Sequence, residues 1–154
     1  MGAEAMTALS GGDKLQATLD KLARGLKKGG VVRVGFLEGA TYPDGTSVPL
    51  VAAINEFGAP SRNQPPRPFF RRMIAAKSGE WSAAVEANLK VMDYDAVKTL
   101  QLLGAGIKGQ LQQSIVDLVD PPLAPSTIRR KGFDKPLIDT STMLNSVDFE
   151  VEET

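Results

Sequence analysis

The sequence contains neither cysteine nor histidine. Without cysteine the chain has no disulfide, no thiolate nucleophile and no cysteine ligand for a metal. Without histidine it lacks the commonest general base and the commonest zinc ligand. A hydrolase built from this chain would have to use paired carboxylates or a serine with a lysine. The two absences therefore leave few routes to catalysis.

A net charge and a long apolar run are also missing. Lys plus Arg equals Asp plus Glu at 18 each, so the formal net charge is zero. A protein that mainly grips bare nucleic acid needs a surplus of cations, so the balance disfavours a general DNA binder and leaves only a local basic face open. The sequence has no run of about 18 apolar residues, so no transmembrane helix is predicted.

The length and the apolar content are sufficient for one folded domain. The chain has 154 residues, of which 42% are hydrophobic, and this composition is typical of a globular domain with a real core. Residues 1–12 are rich in small side chains and are expected to form a flexible leader. We expect a single domain over residues 13–154.

Three main helices are predicted from the spacing of apolar residues. The first begins at Asp13, ends at Gly29, and carries a leucine stripe on one face, consisting of Leu15, Leu19, Leu22 and Leu26. The second starts near Pro68 and continues through Trp81, with a break or kink predicted at Ser78–Gly79. The third is capped by Asp95 and runs to about Leu118. Basic residues late in the first helix suit its negative end.

The remaining pattern predicts strands, turns and one short helix. Val31–Leu37 reads as a strand, and Val147, Phe149 and Val151 alternate with acidic residues as in a second strand. A short helix is predicted from Pro49 to Phe57, with Leu50, Val51, Ile54 and Phe57 as its apolar face. The fold class is therefore α+β, with a small antiparallel sheet packed with about three main helices and an extended proline-rich loop over Ala59–Pro68.

Three glycines within the third helix need an explanation. Gly104, Gly106 and Gly109 each cost about 1 kcal/mol relative to alanine in a helix. Either another helix or subunit approaches closely there, or the helix is bent or weak. The spacing superficially resembles a dinucleotide-binding loop, but it lies in a helical stripe and follows no strand, so that function is improbable.

The acidic residues read as helix caps and solvated charges. The pairs in question lie on a surface helix or at helix ends: Asp13 with Asp20, Asp93 with Asp95, and Asp117 with Asp120. None has the surroundings expected of an acid–base pair. We therefore predict no catalytic residue, no metal site and no cofactor.

Basic residues form two groups that are candidates for partner contact. Arg62, Arg67, Arg71 and Arg72 surround the proline segment, and Arg129, Arg130 and Lys131 follow later in the chain. A solvated basic face is the commoner reason for such groups. A surface that contacts DNA or an acidic partner is the functional alternative. Arginine beside phenylalanine favours a protein interface, and Phe69 and Phe70 are expected to anchor in the core or in a neighbour.

Three segments of the chain, in this order, resemble the neck proteins of long-tailed bacteriophages, of the tail-completion or head–tail joining type. The first is Val34–Leu37 followed by the turn Tyr42–Thr46. The second is Val51–Gly58, which ends in Asn-Glu-Phe-Gly, followed by Pro-Pro-Arg-Pro-Phe-Phe at 65–70. The third is Pro136–Thr140 with Leu144–Val147. The likeness spans roughly residues 31–151.

The resemblance implies a non-catalytic virion protein without a cofactor, assembled in the host cytoplasm as a ring, expected to be hexameric, between the head connector and the tail tube. Its implied partners are further copies of itself, head-completion or connector proteins, and tail-terminator or tail-tube proteins, with contact to DNA in the lumen also open and no membrane. The candidate contact residues are Tyr42, Asp44, Arg62, Arg67, Phe69, Phe70, Arg71, Arg72, Arg129 and Arg130. One alternative is a tail-terminator ring that caps the tail tube. Another, from a different class, is a small enzyme or a nucleic-acid-binding module.

Overall fold

Helices and one two-stranded sheet make up the part of the chain that the computed structural model describes, residues 12–131 and 141–154. In chain order the elements are α1 (Gly12–Lys27), β1 (Gly30–Phe36), α2 (Val48–Phe57), a 3-10 turn (Pro60–Arg62), α3 (Phe69–Val91), α4 (Ala96–Asp117), α5 (Pro125–Lys131), α6 (Thr142–Asn145) and β2 (Val147–Glu153). The predicted α+β class is confirmed. The predicted leader lies outside the described residues, except that Gly12 already begins α1, and the segment Pro136–Thr140 also lies outside them.

The sheet pairs two strands from distant parts of the sequence and rests on α4. β1 and β2 are antiparallel, with Gly30 opposite Glu153 and Phe36 opposite Val147, and both strands contact α4. At Gly104 a Cβ atom would overlap Phe149 Cδ2 and lie 2.8 Å from Val32 Cγ2. Close approach therefore explains Gly104, but it is an approach of α4 to the sheet of the same chain.

The other two helix glycines have a different environment. A Cβ atom at Gly106 or at Gly109 would meet no heavy atom within 4 Å, and both residues are exposed. Nothing in the described part of the chain requires glycine at these two positions. α4 nevertheless continues unbroken through all three glycines.

The core forms where the start of α3 meets the second half of α4, α2, α6 and the start of β2. Its fully buried apolar side chains are Phe69, Leu111, Ile115, Met143, Val48 and Val147. The ring of Phe36 meets that of Phe69 edge to face at 6.0 Å between centroids. Farther along the α3–α4 contact, Trp81 Nε1 donates to Gln110 Oε1 at 2.9 Å. Ser114 Oγ of α4 also donates to Phe69 O at 2.6 Å. The two long helices are thus held together by apolar packing and by these two polar ties.

The apolar face predicted for α2 and the break predicted as one alternative in α3 are wrong. α2 buries Val48, Ala52 and Glu56, whereas Phe57 is 68% exposed. The face of α2 that is buried is the one that carries Glu56, whose carboxylate accepts hydrogen bonds at the start of α3. It is not the most apolar face of the helix. α3 is continuous through Ser78–Gly79, because a single exposed glycine lowers helix stability without breaking the hydrogen-bond ladder.

The proline-rich loop is only partly extended. Pro60–Arg62 form a 3-10 turn, and Asn63 after it adopts a left-handed conformation with φ of 52°. The fixed φ of proline suits the first position of a helical turn, which is where Pro60 lies. The loop is therefore more compact than the extended segment that the proline count predicts.

α1 buries none of its residues in the described chain. Its leucine stripe is largely exposed, with Leu15 at 62% and only Leu22 half-buried. The contacts lie in its second half, where Gly25 is packed against the carbonyl of Tyr94 and Lys21 forms an ion pair with Asp93. An amphipathic helix normally turns its apolar stripe to the core, and in the described chain this stripe has no such cover.

Among the described residues, none of the helices has the length and apolar character needed to cross a membrane.

Candidate partner-binding groove

A large open groove, hereafter the arginine groove, collects residues from five segments of the chain. Its volume is about 1390 Å³. The walls come from the turn Tyr42–Thr46, from one side of α2, from the proline loop, from residues 122–130 at and before α5, and from Met143 of α6. Three arginines line it, Arg62, Arg67 and Arg130.

The turn on one side of the groove is built by local hydrogen bonds. Tyr42 N donates to Thr46 O at 2.8 Å, and Gly45 N donates to Tyr42 O at 2.9 Å. Gly45 has a φ of 85°, which a side chain would disfavour. The carboxylate of Asp44 accepts from Thr46 N at 2.9 Å, and this hydrogen bond lowers the pKa of Asp44. The predicted turn is confirmed, and it holds an ionised carboxylate at the groove.

The proline loop on the other side is tied back to α2. Ala59 and Gln64 exchange two backbone hydrogen bonds, of 2.9 and 3.1 Å. The side chain of Asn55 accepts from Gln64 Nε2 at 3.3 Å, and its carbonyl accepts from Arg67 N at 2.6 Å. Gly58 has a φ of 77°, and a Cβ there would lie 2.8 Å from Pro66 N. The loop is thus closed around a glycine and anchored by one asparagine.

Arg67 is the unusual residue of this groove. It is 7% exposed, and its Nε has no hydrogen-bond partner among the described residues. Burial lowers the pKa of its guanidinium from the ordinary value, although an arginine remains protonated. A buried charge without an acceptor is costly, because the hydration lost on burial is not replaced. The chain tolerates this cost in the wall of the arginine groove.

The other polar residues of the groove are less constrained. Arg62, Arg130 and Asp44 line it and are exposed. The three arginines outnumber the single carboxylate, so the groove is positive. Apolar side chains also contribute to the lining: Val51, Pro65, Leu123 and Met143. The described groove therefore combines a positive field with apolar surface.

Next to the groove, Glu56 forms a polar network that the sequence analysis missed. Its carboxylate accepts from Phe70 N at 2.9 Å and from Arg71 N at 3.2 Å. Arg71 Nε donates to the same carboxylate at 2.7 Å, and the other end of the guanidinium donates to the Glu56 carbonyl at 3.0 Å. Pro68, which precedes α3, supplies no side-chain cap. Glu56 therefore caps α3 from another helix.

A signal for this cap was present in the sequence. An acidic residue within an otherwise apolar short helix precedes a helix start that has no serine, threonine, aspartate or asparagine at its cap position. Free backbone N–H groups at a helix start need an acceptor, and Glu56 is the acidic residue of α2.

Five of the ten predicted contact residues meet in the arginine groove: Tyr42, Asp44, Arg62, Arg67 and Arg130. The other five do not line it. Phe69 is 1% exposed and belongs to the core, so its assignment as a partner contact is wrong and the alternative that it anchors in the core holds.

The remaining four predicted contacts have other surroundings. Phe70 is half-buried and lines a smaller apolar groove of about 290 Å³ with Phe36, Pro49 and Phe57. Arg71 is engaged by Glu56 and lies over the ring of Phe57 at 5.2 Å. Arg72 lies 3.8 Å from Asp120, and Arg129 is exposed.

The described residues contain no group of three or more Asp or Glu side chains that would hold a metal ion. Comparison of the chain with protein-family models, with curated proteins and with solved structures gives no match in any of the three.

Proposed function

We propose that this chain is a non-catalytic structural subunit of the neck of a long-tailed bacteriophage, where a ring of copies completes the tail and joins it to the head connector. The observation that supports this most is the arginine groove. By analogy with the neck proteins that the motifs resemble, loops reach adjacent rings, and the candidate loops here are Tyr42–Ser47 and Ala59–Arg67. Both contribute to the walls of the groove. Loops that meet on one surface suit a common partner.

Exposed apolar surfaces support the ring. In a ring, each subunit contacts its two neighbours through two different surfaces. The described chain offers the leucine stripe of α1 on one element and the apolar groove between α2 and α3 on another. Contiguous exposed apolar surface of this kind is typical of proteins that associate.

The proposal is tested by deleting the gene from a phage that carries it and examining the lysate by negative-stain electron microscopy. Filled heads and separate tails of normal length are expected, with infectivity restored by a plasmid copy. Tails of abnormal length would instead favour the tail-terminator alternative. Normal infectious particles from the deletion would refute both assignments. Addition of the purified chain to the separated heads and tails should restore joining in vitro.

A further inference from the structure

The fold fixes the backbone of Arg67, but the described residues provide no hydrogen-bond acceptor for its Nε. Its backbone is fixed on both sides, since Arg67 N donates to Asn55 O at 2.6 Å and Arg67 O accepts from Phe69 N at 2.8 Å. These two bonds fix the backbone of Arg67 at the junction between α2 and α3. Its Nε is buried and has no hydrogen-bond partner among the described residues. A bound molecule with a carboxylate would supply the acceptor that the described residues lack.

We propose that the arginine groove binds an acidic peptide segment of a partner protein, with a carboxylate of that segment paired to Arg67. A guanidinium presents its N–H groups in a rigid fork that matches a carboxylate, and such charge-assisted pairs are among the strongest hydrogen bonds in proteins. Arg62 and Arg130 at the exposed part of the groove add a positive field that attracts an acidic ligand.

The rest of the lining suits a peptide rather than a nucleic acid. Val51, Leu123 and Met143 offer apolar contact to the side chains of a peptide. Nucleic acid needs a row of exposed cations along its phosphates. The described groove instead has two exposed arginines, Arg62 and Arg130, one buried guanidinium, and an ionised carboxylate from Asp44 that would repel a phosphate backbone.

This inference depends on the groove alone and names the chemistry of a ligand that the neck proposal leaves open. It would hold for an acidic partner outside a virion, and its test uses the purified full chain without any phage. Failure of one proposal is therefore distinguishable from failure of the other.

The test is isothermal titration calorimetry at low salt with two acetylated pentapeptides, alanine-leucine-glutamate-leucine-alanine and the same peptide with glutamine in place of glutamate. The glutamate peptide is expected to bind at least about tenfold more tightly, the effect of one charge-assisted pair. Arg67→Met should abolish the difference between the peptides. Arg72→Gln, a change of an arginine outside the groove, should preserve it.

Thermal unfolding separates loss of the ligand site from loss of the fold. Without peptide, Arg67→Met is expected to melt at or above the temperature of the wild type, because it removes a buried charge that has no acceptor. Arg67→Lys keeps the charge without the fork and should retain only part of the preference for glutamate. A lower melting temperature of Arg67→Met would show that the chain itself satisfies Arg67 and would overturn the proposal.

Three further results would overturn it. The first is no binding of the glutamate peptide up to millimolar concentration, or equal affinity for the two peptides. The second is a preference for glutamate that survives Arg67→Met. The third is a 20-base-pair DNA duplex that binds more tightly than the glutamate peptide and is lost in Arg67→Met, which would assign the groove to nucleic acid.

Discussion

Replacement of Glu56 by alanine should weaken the fold by removing the cap of α3. The side chain of Glu56 is 7% exposed. It accepts hydrogen bonds from the backbone N–H groups of Phe70 and Arg71. The alanine variant leaves these two groups at a partly buried helix start with no acceptor of their own, since Pro68 offers none. The change acts on the junction between α2 and α3, next to the core residue Phe69.

The magnitude follows from the kind of hydrogen bond that is lost. Hydrogen bonds to a charged group contribute about 1.5–3 kcal/mol each, and loss of an ordinary N-cap costs about 1 kcal/mol. The two bonds share one carboxylate and are not additive, so Glu56→Ala should lower the free energy of unfolding by about 3 kcal/mol, taken from these ranges. For a chain of this size that is a fall of about 10 °C in melting temperature.

Two companion variants separate the cap from the ion pair. Glu56→Gln keeps one oxygen acceptor and should cost about half as much as the alanine variant. Arg71→Gln removes the ion pair but leaves the carboxylate on both N–H groups. The side chain of Arg71 is 59% exposed, whereas that of Glu56 is 7% exposed. Solvent screens one side of the pair, so Arg71→Gln should cost less than Glu56→Ala.

Urea unfolding measures all three variants. Unfolding is followed by circular dichroism and by the fluorescence of Trp81, the single tryptophan. Trp81 belongs to α3 and donates a hydrogen bond to Gln110 of α4. A cost of less than about 1 kcal/mol for Glu56→Ala would refute the capping argument. A cost of Arg71→Gln equal to that of Glu56→Ala would assign the effect to the ion pair instead.

Three further predictions concern other parts of the chain. Gly104→Ala should destabilise the fold by about 1–3 kcal/mol, because the added methyl overlaps the sheet. Gly106→Ala and Gly109→Ala should stabilise it by up to about 1 kcal/mol each. Urea unfolding measures all three variants. The backbone N–H of Lys98 lowers the pKa of the helix cap Asp95, so the stabilisation that Asp95 provides should be complete above the ordinary aspartate pKa of about 4 and fade as the pH falls through the lower folded value. Leu15→Gln with Leu19→Gln should leave the stability of the isolated chain within about 0.5 kcal/mol and abolish its assembly, as measured by light scattering after size-exclusion chromatography.

Each of these has a control in the chain. Gly106→Ala and Gly109→Ala are matched to Gly104→Ala, and equal effects at all three positions would contradict the overlap. Asp95→Ala should lose its disadvantage relative to the wild type at low pH, and a constant gap from pH 7 down to about 2 would contradict the linkage. Ala17→Gln changes the opposite side of α1, and assembly that it disrupts equally would argue against the leucine stripe.

Local patterns in the sequence predicted the elements well because their causes are local. The capped start of α4 at Asp95 and the turn closed by Gly45 each depend on a few neighbouring residues, and both are confirmed. The prediction of which face of α2 is buried was wrong because Glu56 accepts hydrogen bonds at the start of α3, an element that follows later in the chain. An exposed Phe57 beside a buried glutamate reverses what hydrophobicity alone predicts.

The candidate site was only partly predictable for the same reason. Arg67 was selected as one of several arginines near prolines and phenylalanines, but its burial without a partner depends on how Asn55 closes the loop. The meeting of Tyr42 with Arg62 and Arg130 depends on packing between distant segments. Periodicity and turn chemistry carry no information about such distances.

The pairing of β1 with β2 also bears on how the protein is made. α3 and α4 adjoin in sequence and can pair early, because contacts between near neighbours in the chain form fastest. β1 must wait until Val147–Glu153 has left the ribosome, since a lone strand is not stable by itself. During synthesis, the face of α4 around Gly104 that will receive the sheet is therefore open to solvent, and nascent chains on neighbouring ribosomes should be most prone to aggregate during that interval.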